Sequence, residues 1–405
     1  MLTPAPQVAH EWLRDYAQVA LRLDRIVQAH RGSSLLDYLG PPEWRAEVES
    51  EPMWSWPRLR DAVAGLREGL AEQGFEPRRA RFLSRHLDAF RTVARRLGGE
   101  PLSLEEEVLG CLDLRVGWLP ETLFEAGHDL YDAGLPGVGR LAERLRRWRA
   151  RTTLPPGRSH LLTALLQRAL AHARQLTHAM LPLPADEDVD IAHVDQPAWA
   201  VAAYEGSHRS RILVNPLVPF PLPDLFYVLC HEGYPGHLTE ILLKEEALVD
   251  RRGCLEQQAR FLLTPGFVVS EGLALLAHEM VFAPGEEERW LAEHVYPEAG
   301  MRPEGDPRSI HLARDILRGA SCNAAFLLRE GRPAPEVVSY LVRHALVDEE
   351  RAREELARLS RPLGEVHPFA YFHGRRLVEA RLGGPGRLAS LQWLMTTQVL
   401  PSELE

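Results

Sequence analysis

Apolar residues recur at steps of three and four through much of the chain, and this periodicity constrains the fold more than any other feature. Near the start the stripe is Trp12, Tyr16, Val19, Leu23 and Ile26. Such spacing places the side chains on one face of an α-helix. Similar patterns predict further helices over residues 161–180, 237–262, 265–282, 309–330, 335–358 and 369–382. The sequence therefore predicts a mainly α fold.

The clearest β signal lies in residues 198–216, AWAVAAYEGSHRSRILVNP. Two short runs suited to strands flank the turn-forming residues Glu-Gly-Ser, so we expect a small antiparallel hairpin over 198–214. A helix should follow, with Asp224 as its N-cap. We expect one continuous fold, in which a helical region (1–190) covers a cleft in a second region (191–405) that contains this hairpin and further helices.

Composition excludes several classes of function. The formal net charge is -10 and the pI is near 6.0, which argues against a nucleic-acid partner. The cysteines form no CxxC pair, so neither a disulfide framework nor a thiolate zinc site is expected; they are Cys111, Cys230, Cys254 and Cys322. No apolar run reaches membrane-spanning length and no signal segment is recognisable, so we expect a cytoplasmic protein with no membrane partner.

The stretch HEGYPGH, residues 231–237, carries the chemistry. His231 and His237 are candidate zinc ligands, and Glu232 is a candidate general base beside the first of them. On a straight α-helix these histidines would lie about 120° apart in direction and about 9 Å apart along the axis. Pro235 and Gly236 are the residues least compatible with a straight helix. We therefore expect a break that returns His237 towards His231.

Two simpler interpretations compete with a zinc site, one for the histidine pair and one for its possible third ligand. In a chain with 17 histidines, such a pair could lie together by chance near a helix end. A third ligand would decide the matter, and Glu271 is the candidate, since an unpaired carboxylate in its apolar surroundings would cost several kcal/mol. Thr264 and Pro265 form a good start for its helix. The alternative is that Glu271 is exposed or pairs with an arginine.

These residues resemble the bacterial domain-of-unknown-function 885 family, whose signature is His-Glu-x-x-Pro-Gly-His with a later Glu-Gly-Trp-Ala-Leu. The resemblance covers residues 100–385 and is most specific at 231–237 and 271–272. It implies a gluzincin-type metallopeptidase in which His231, His237 and Glu271 hold one zinc ion and Glu232 is the base. The chain departs from the pattern at Leu238, where a second histidine often follows, and at Leu273, where tryptophan is usual. The segment 367–382 resembles the family's closing Tyr-x-x-Gly helix, with Tyr371 and Gly374 in register.

Other candidates complete the predicted site. Tyr371 is the first choice for stabilising an oxyanion and His373 the second. An enzyme that removes C-terminal residues needs an arginine for the substrate carboxylate, and the candidates are Arg314, Arg375 and Arg376. His278 lies on the same helical face as Glu271, in a structural or second-shell role. Glu240 either completes the site or orients His237 or, as we prefer, lies on the helix surface. The predicted hairpin either binds extended substrate or has no substrate role.

The prediction is a zinc-dependent hydrolase of peptide or small amide bonds, with carboxypeptidase activity as a candidate. One rival is a catalytically silent protein that keeps the fold as a binding or structural module. Another is a helical scaffold without metal. Zinc follows from the His-His-Glu ligand set, and cobalt, manganese and iron remain alternatives.

Overall fold

The computed structural model describes residues 7–195 and 199–405. Ala198, at the start of the predicted hairpin, lies outside the described residues. The fold is mainly helical, at 67% helix, as the apolar periodicity predicts. The α-helices are α1 (Gln7–Arg31), α2 (Pro42–Ser50), α3 (Trp56–Gly69), α4 (Pro77–Leu97), α5 (Leu104–Leu112), α6 (Glu121–Gly134), α7 (Leu141–Thr152), α8 (Leu162–His178), α9 (Leu225–Glu232), α10 (His237–Lys244), α11 (Pro265–Val281), α12 (Glu286–His294), α13 (Tyr296–Ala299), α14 (Pro307–Leu317), α15 (Gly319–Arg329), α16 (Ala334–Ala345), α17 (Glu349–Leu359), α18 (His367–Leu382) and α19 (Arg387–Thr396).

Two small sheets accompany the helices. The strands are β1 (Leu36–Tyr38), β2 (Asp188–His193), β3 (Ala200–Gly206), β4 (Arg209–Val214) and β5 (Ala259–Phe261). The predicted hairpin is confirmed as β3 and β4, which pair antiparallel. The sequence analysis missed β2, which pairs parallel with β4, and the antiparallel pair of β1 and β5. In the order β2-β4-β3, β3 forms one edge of the three-stranded sheet.

Several predicted helices are shorter than expected. The segment 237–262 is α-helical only to Lys244; it continues as a π-helical turn, Glu245–Asp250, and ends in β5. The segments 309–330 and 335–358 each divide into two helices. In the second case Leu346 takes a left-handed conformation and the Asp348 side chain caps the next helix. Apolar periodicity continues across these breaks, which is why it does not reveal them.

Asp224 and Thr264 each precede a helix at the predicted N-cap position, but neither side chain accepts a hydrogen bond from a backbone N–H at the helix start. The carboxylate of Asp224 instead accepts from Nε2 of His311 and from the guanidinium of Arg314, each at 2.9 Å. The Thr264 hydroxyl donates to the carbonyl of Phe261 at 2.7 Å. The partners of Asp224 are distant in sequence, and the partner of Thr264 precedes the helix. The sequence at each helix start does not reveal these partners.

Helix α11 runs through the interior, and most of its residues are buried on every side. It packs on α18 at very short range: a Cβ on Gly272 would lie 2.3 Å from the carbonyl oxygen of Gly374. A Cβ on Gly374 would lie 2.3 Å from the carbonyl oxygen of Val268. These glycines let the two backbones meet, which fixes the position of Glu271 on α11 relative to Tyr371 on α18.

The core joins the two predicted regions. One buried cluster contains side chains of α1 and α4 together with Phe261, Val268 and Phe369. A second surrounds α9 and the three-stranded sheet. Within the described ranges no single helix is both long and apolar enough to cross a membrane; α11 and α12, bent by 73°, pass that test only when taken together.

Candidate metal centre

The expected break between the two histidines is confirmed. Helix α9 ends at Glu232, α10 begins at His237, and the residues between them form a turn. Gly236 lies against the end of α9, where a Cβ would come within 2.0 Å of the carbonyl oxygen of His231. Only glycine permits this approach. As a result the imidazole rings of His231 and His237 meet edge to face, with an angle of 86° between their planes and 4.7 Å between their centroids.

Glu271 completes a three-residue cluster. One carboxylate oxygen lies 3.6 Å from Nε2 of His231, and the other lies 3.5 Å from Nε2 of His237. One candidate ligand atom from each residue lies within 4.8 Å of the others. Zinc bonds of about 2.0–2.1 Å in a tetrahedral site place ligand atoms roughly 3.4 Å apart. The three side chains therefore fit one zinc ion with small adjustments.

The protonation states suit a metal as well. Burial and the neighbouring His237 lower the pKa of His231 to about 3, so its imidazole is neutral. Burial opposes ionisation of Glu271, but His237 and His231 outweigh it and hold the pKa of that carboxyl below its ordinary value. Within the described residues, Nδ1 of His231 and Oε2 of Glu271 are buried without a hydrogen-bond partner. Zinc binds neutral imidazole and ionised carboxylate, which are the forms favoured at His231 and Glu271. At His237 burial disfavours the charged form, but Glu271 outweighs it and raises the pKa, so zinc would displace a proton there.

A buried chain of polar groups holds His237. Nδ1 of His237 lies 3.2 Å from Oγ of Ser270, and the Ser270 hydroxyl donates to Glu240. The ammonium of Lys244 donates to the same carboxylate at 2.5 Å. Glu240 is only 3% exposed, so our preference for a helix-surface position was wrong. The alternative role, orientation of His237, is the one this geometry supports.

Glu232 lies between the cluster and the sheet. One of its carboxylate oxygens accepts from the backbone N–H of Ala202 in β3 at 2.7 Å. The backbone carbonyl of Trp199 accepts a hydrogen bond from the backbone N–H of Asn215, just after β4. Because the direction of the backbone hydrogen-bonding groups alternates along a strand, those of Ala202 turn away from β4 and towards the site. Burial raises the pKa of Glu232 to about 7. A partly buried carboxylate thus faces the edge of the sheet.

Tyr371 lies beside the cluster, and burial and the nearby carboxylate of Glu271 raise the pKa of its hydroxyl well above the ordinary value. His367, which the sequence analysis missed, lies one helical turn earlier on α18. Its ring centroid is 5.2 Å from that of Tyr371 and 5.5 Å from that of Phe267. The i, i+4 spacing of His367 and Tyr371 is the sequence signal that could have found it.

The predicted arginines are engaged elsewhere. Arg314 pairs with Asp224 at 2.9 Å. Arg375 is buried and pairs with Glu279 at 2.9 Å, whereas Arg376 is exposed. The structure brings none of the three against the His-His-Glu cluster.

Arg318, which was not predicted, is the arginine that lies at the site. Its guanidinium is 5.9 Å from the ring centroid of Tyr371 and donates to Asp315 and to the hydroxyl of Tyr227, each at 3.2 Å. Its side chain is 35% exposed, so it also reaches solvent. Nothing in the local sequence separates it from the many other arginines.

Two predicted histidines also lie apart from the cluster. His373 is about 200° around α18 from Tyr371, and its ring lies against Phe369 and Phe372. His278 bonds with Glu287 at 2.8 Å, two turns along α11 from Glu271. The side chain that contacts the imidazole of His237 is Ser270 instead.

Comparisons with known proteins support the fold only. No protein-family model and no curated protein matches the chain, so membership of the domain-of-unknown-function 885 family is not shown. A candidate lipoprotein from Colwellia psychrerythraea is similar with a TM-score of 0.53 and 14% identity, over 86% of this chain and 68% of that one. A candidate lipoprotein of unknown function from Shewanella oneidensis gives 0.49 and 12%, over 90% and 75%. The M32 carboxypeptidase from Deinococcus radiodurans gives 0.42 and 12%, over 98% and 94%. At such identity, the Colwellia match shows a shared fold and nothing about activity.

Replacing Ser270 by Ala should weaken zinc binding about 10- to 100-fold, because His237 loses the group that fixes its ring. A competition titration against a chromophoric chelator measures the change. Ser339→Ala, at an exposed position in α16, is the matched control and should bind zinc like the wild type. Unchanged affinity in Ser270→Ala would contradict the proposed orienting role.

Proposed function

We propose that the chain is a zinc-dependent hydrolase of peptide bonds. The observation that carries the proposal is the meeting of His231, His237 and Glu271 in one small cluster with the carboxylate of Glu232 beside it. The two histidines and Glu271 would hold the ion. When bound, zinc supplies a Lewis acid that polarises the scissile carbonyl and lowers the pKa of water.

Glu232 is the proposed general base. Its raised pKa, about 7, lies close to neutral pH, where a base transfers protons most effectively. The N–H of Ala202 holds one oxygen of the carboxylate and leaves the other to accept a proton. A protein that only binds metal has no use for a base in this position, which favours an enzyme over the catalytically silent alternative.

The free edge of β3 is the proposed substrate platform. A peptide in extended form can add to a sheet edge through its backbone. The N–H of Ala202 already bonds Glu232, and the same alternation turns the backbone groups of Ala200 and Tyr204 to this edge, where a peptide could reach them. The strand therefore offers hydrogen bonds to a main chain whose scissile bond lies at the metal cluster, and peptides are the substrate class that uses them.

Replacing Glu232 by Gln should abolish hydrolysis while zinc content and fold remain, because the amide cannot accept the proton from water. We expect a loss of at least about 10²-fold in kcat. The assay is a peptide-library screen on protein purified without chelator, with zinc per chain measured by elemental mass spectrometry. Glu354→Gln, exposed on α17, is the control. Normal turnover by Glu232→Gln, or a folded, zinc-supplemented wild type without metal, would refute the mechanism.

Tyr371 is the proposed partner of the developing oxyanion. Its hydroxyl lies next to Glu271, and the guanidinium of Arg318 faces its ring. Replacing Tyr371 by Phe should lower kcat about 10²- to 10³-fold with little change in KM, since the lost bond forms in the transition state. Tyr340→Phe removes a phenol outside the site and should leave kcat unchanged. A rise in KM alone would instead assign Tyr371 to substrate binding.

Carboxypeptidase activity is the finer proposal, and Arg318 supports it. Its partly exposed guanidinium is the cation beside Tyr371 that a terminal carboxylate could reach. Peptides with a free C-terminus should have a KM at least about tenfold lower than their amides, since a charged hydrogen bond contributes about 1.5–3 kcal/mol. Arg318→Gln should remove that preference. Equal cleavage of both peptide forms at internal bonds would identify an endopeptidase.

A further inference from the structure

A second cluster of metal-binding side chains lies at the other end of α11. It consists of His278 near the end of that helix, Glu287 in α12 and His311 in α14. One ring nitrogen from each histidine and one oxygen of Glu287 lie within 4.8 Å of one another. All three side chains are buried, with at most 9% exposure. The three helices thus bring together a His-His-Glu set of the same composition as the first.

Carboxylates hold both histidines of this second cluster. Nδ1 of His278 bonds with Glu287 at 2.8 Å, and Nε2 of His311 bonds with Asp224 at 2.9 Å. Among the described residues, Nε2 of His278 is buried without a hydrogen-bond partner. The bond of His311 to Asp224 is the usual arrangement around protein-bound zinc, in which a carboxylate holds one ring nitrogen and the other binds the ion. Glu287 would exchange its bond to His278 for a bond to the ion.

The cluster also lines a cavity of about 330 Å³ that is open to solvent. Glu279 and Glu288 line the same cavity, and a carboxylate oxygen of Glu279 is 4.0 Å from Nε2 of His278. Two arginines also line it. The guanidinium of Arg387 is occupied by the backbone carbonyl of Glu279 at 2.6 Å, and Arg308 is exposed. The carboxylates favour a cation over an anion in this cavity.

We propose that His278, Glu287 and His311 bind a second divalent cation of the zinc type. His278 follows Glu271 by seven residues on one helix, which separates the two clusters by about 10 Å along the axis. Paired catalytic metals lie only about 3.5–4 Å apart, so the second ion is structural. It joins α11, α12 and α14. Helix α14 carries Asp315, which bonds Arg318 beside the first cluster.

Zinc content after equilibration with excess zinc and dialysis tests the proposal in the full-length chain. The wild type should retain about two zinc ions, and Glu271→Gln and His311→Gln about one each. The double variant should retain none. Cobalt in the Glu271→Gln background should give the visible absorption of a bound ion, and His311→Gln should abolish it. Zinc should also raise the thermal midpoint of Glu271→Gln and leave that of the double variant unchanged.

Two further variants keep the test decisive if His311→Gln does not fold. Glu287→Gln preserves side-chain volume and should lose the same ion, whereas His344→Gln removes a buried histidine outside both clusters and should retain both ions. If the wild type binds one ion and both His311→Gln and Glu287→Gln keep that ion, this proposal is overturned. One ion that Glu271→Gln keeps and His311→Gln loses would support it while refuting the first site, so the two proposals fail separately.

Discussion

The buried carboxylate of Glu271 is the constraint around which the rest of the structure is arranged. An ionised carboxylate in a helix that is buried on all sides costs several kcal/mol unless charges and hydrogen bonds surround it. His237, whose pKa this carboxylate raises, supplies positive charge, Nε2 of His231 lies 3.6 Å away, and the hydroxyl of Tyr371 lies beside the same carboxylate. Each of these groups comes from a different helix, so α9, α10 and α18 must all reach one point on α11.

Two local backbone features make this convergence possible. The Gly272–Gly374 contact brings α18 within backbone distance of α11, and the close approach of Gly236 turns α10 back over the end of α9. Residues with side chains at these positions would push the ligand-bearing helices apart. The glycines therefore serve the site through packing, although none of them bears a functional group.

The sequence predicted those parts of the site whose cause is local. Pro235 and Gly236 announce a helix break because their own chemistry demands one, and the break is where it was expected. Glu271 stood out because its apolar neighbours make an unpaired charge costly. Glu240 could not be recognised in this way, since its burial depends on Ser270, which lies 30 residues further along the chain.

The same reason explains the other errors. Strand β2 is a short edge strand that pairs in parallel with β4, which does not follow it in the chain, and the four alternating residues at its start (188–191) do not reveal such a partner. Arg318 is held at the site by its hydrogen bonds to Asp315 and Tyr227. The sequence alone does not show these bonds, so it does not distinguish Arg318 from the many other arginines. Asp224 precedes a helix as a cap would, but distant partners take its carboxylate. Tertiary partners outweigh local propensity in each case.

Glu232 is the strongest argument that this arrangement serves catalysis. Burial raises its pKa, so the fold disfavours its ionised form, and the N–H of Ala202 offsets that cost only in part. A glutamine there could accept the same N–H bond without the penalty of a buried charge. The carboxylate therefore weakens the fold at the position where a hydrolase needs a base, which is the usual relation between stability and activity at an active site.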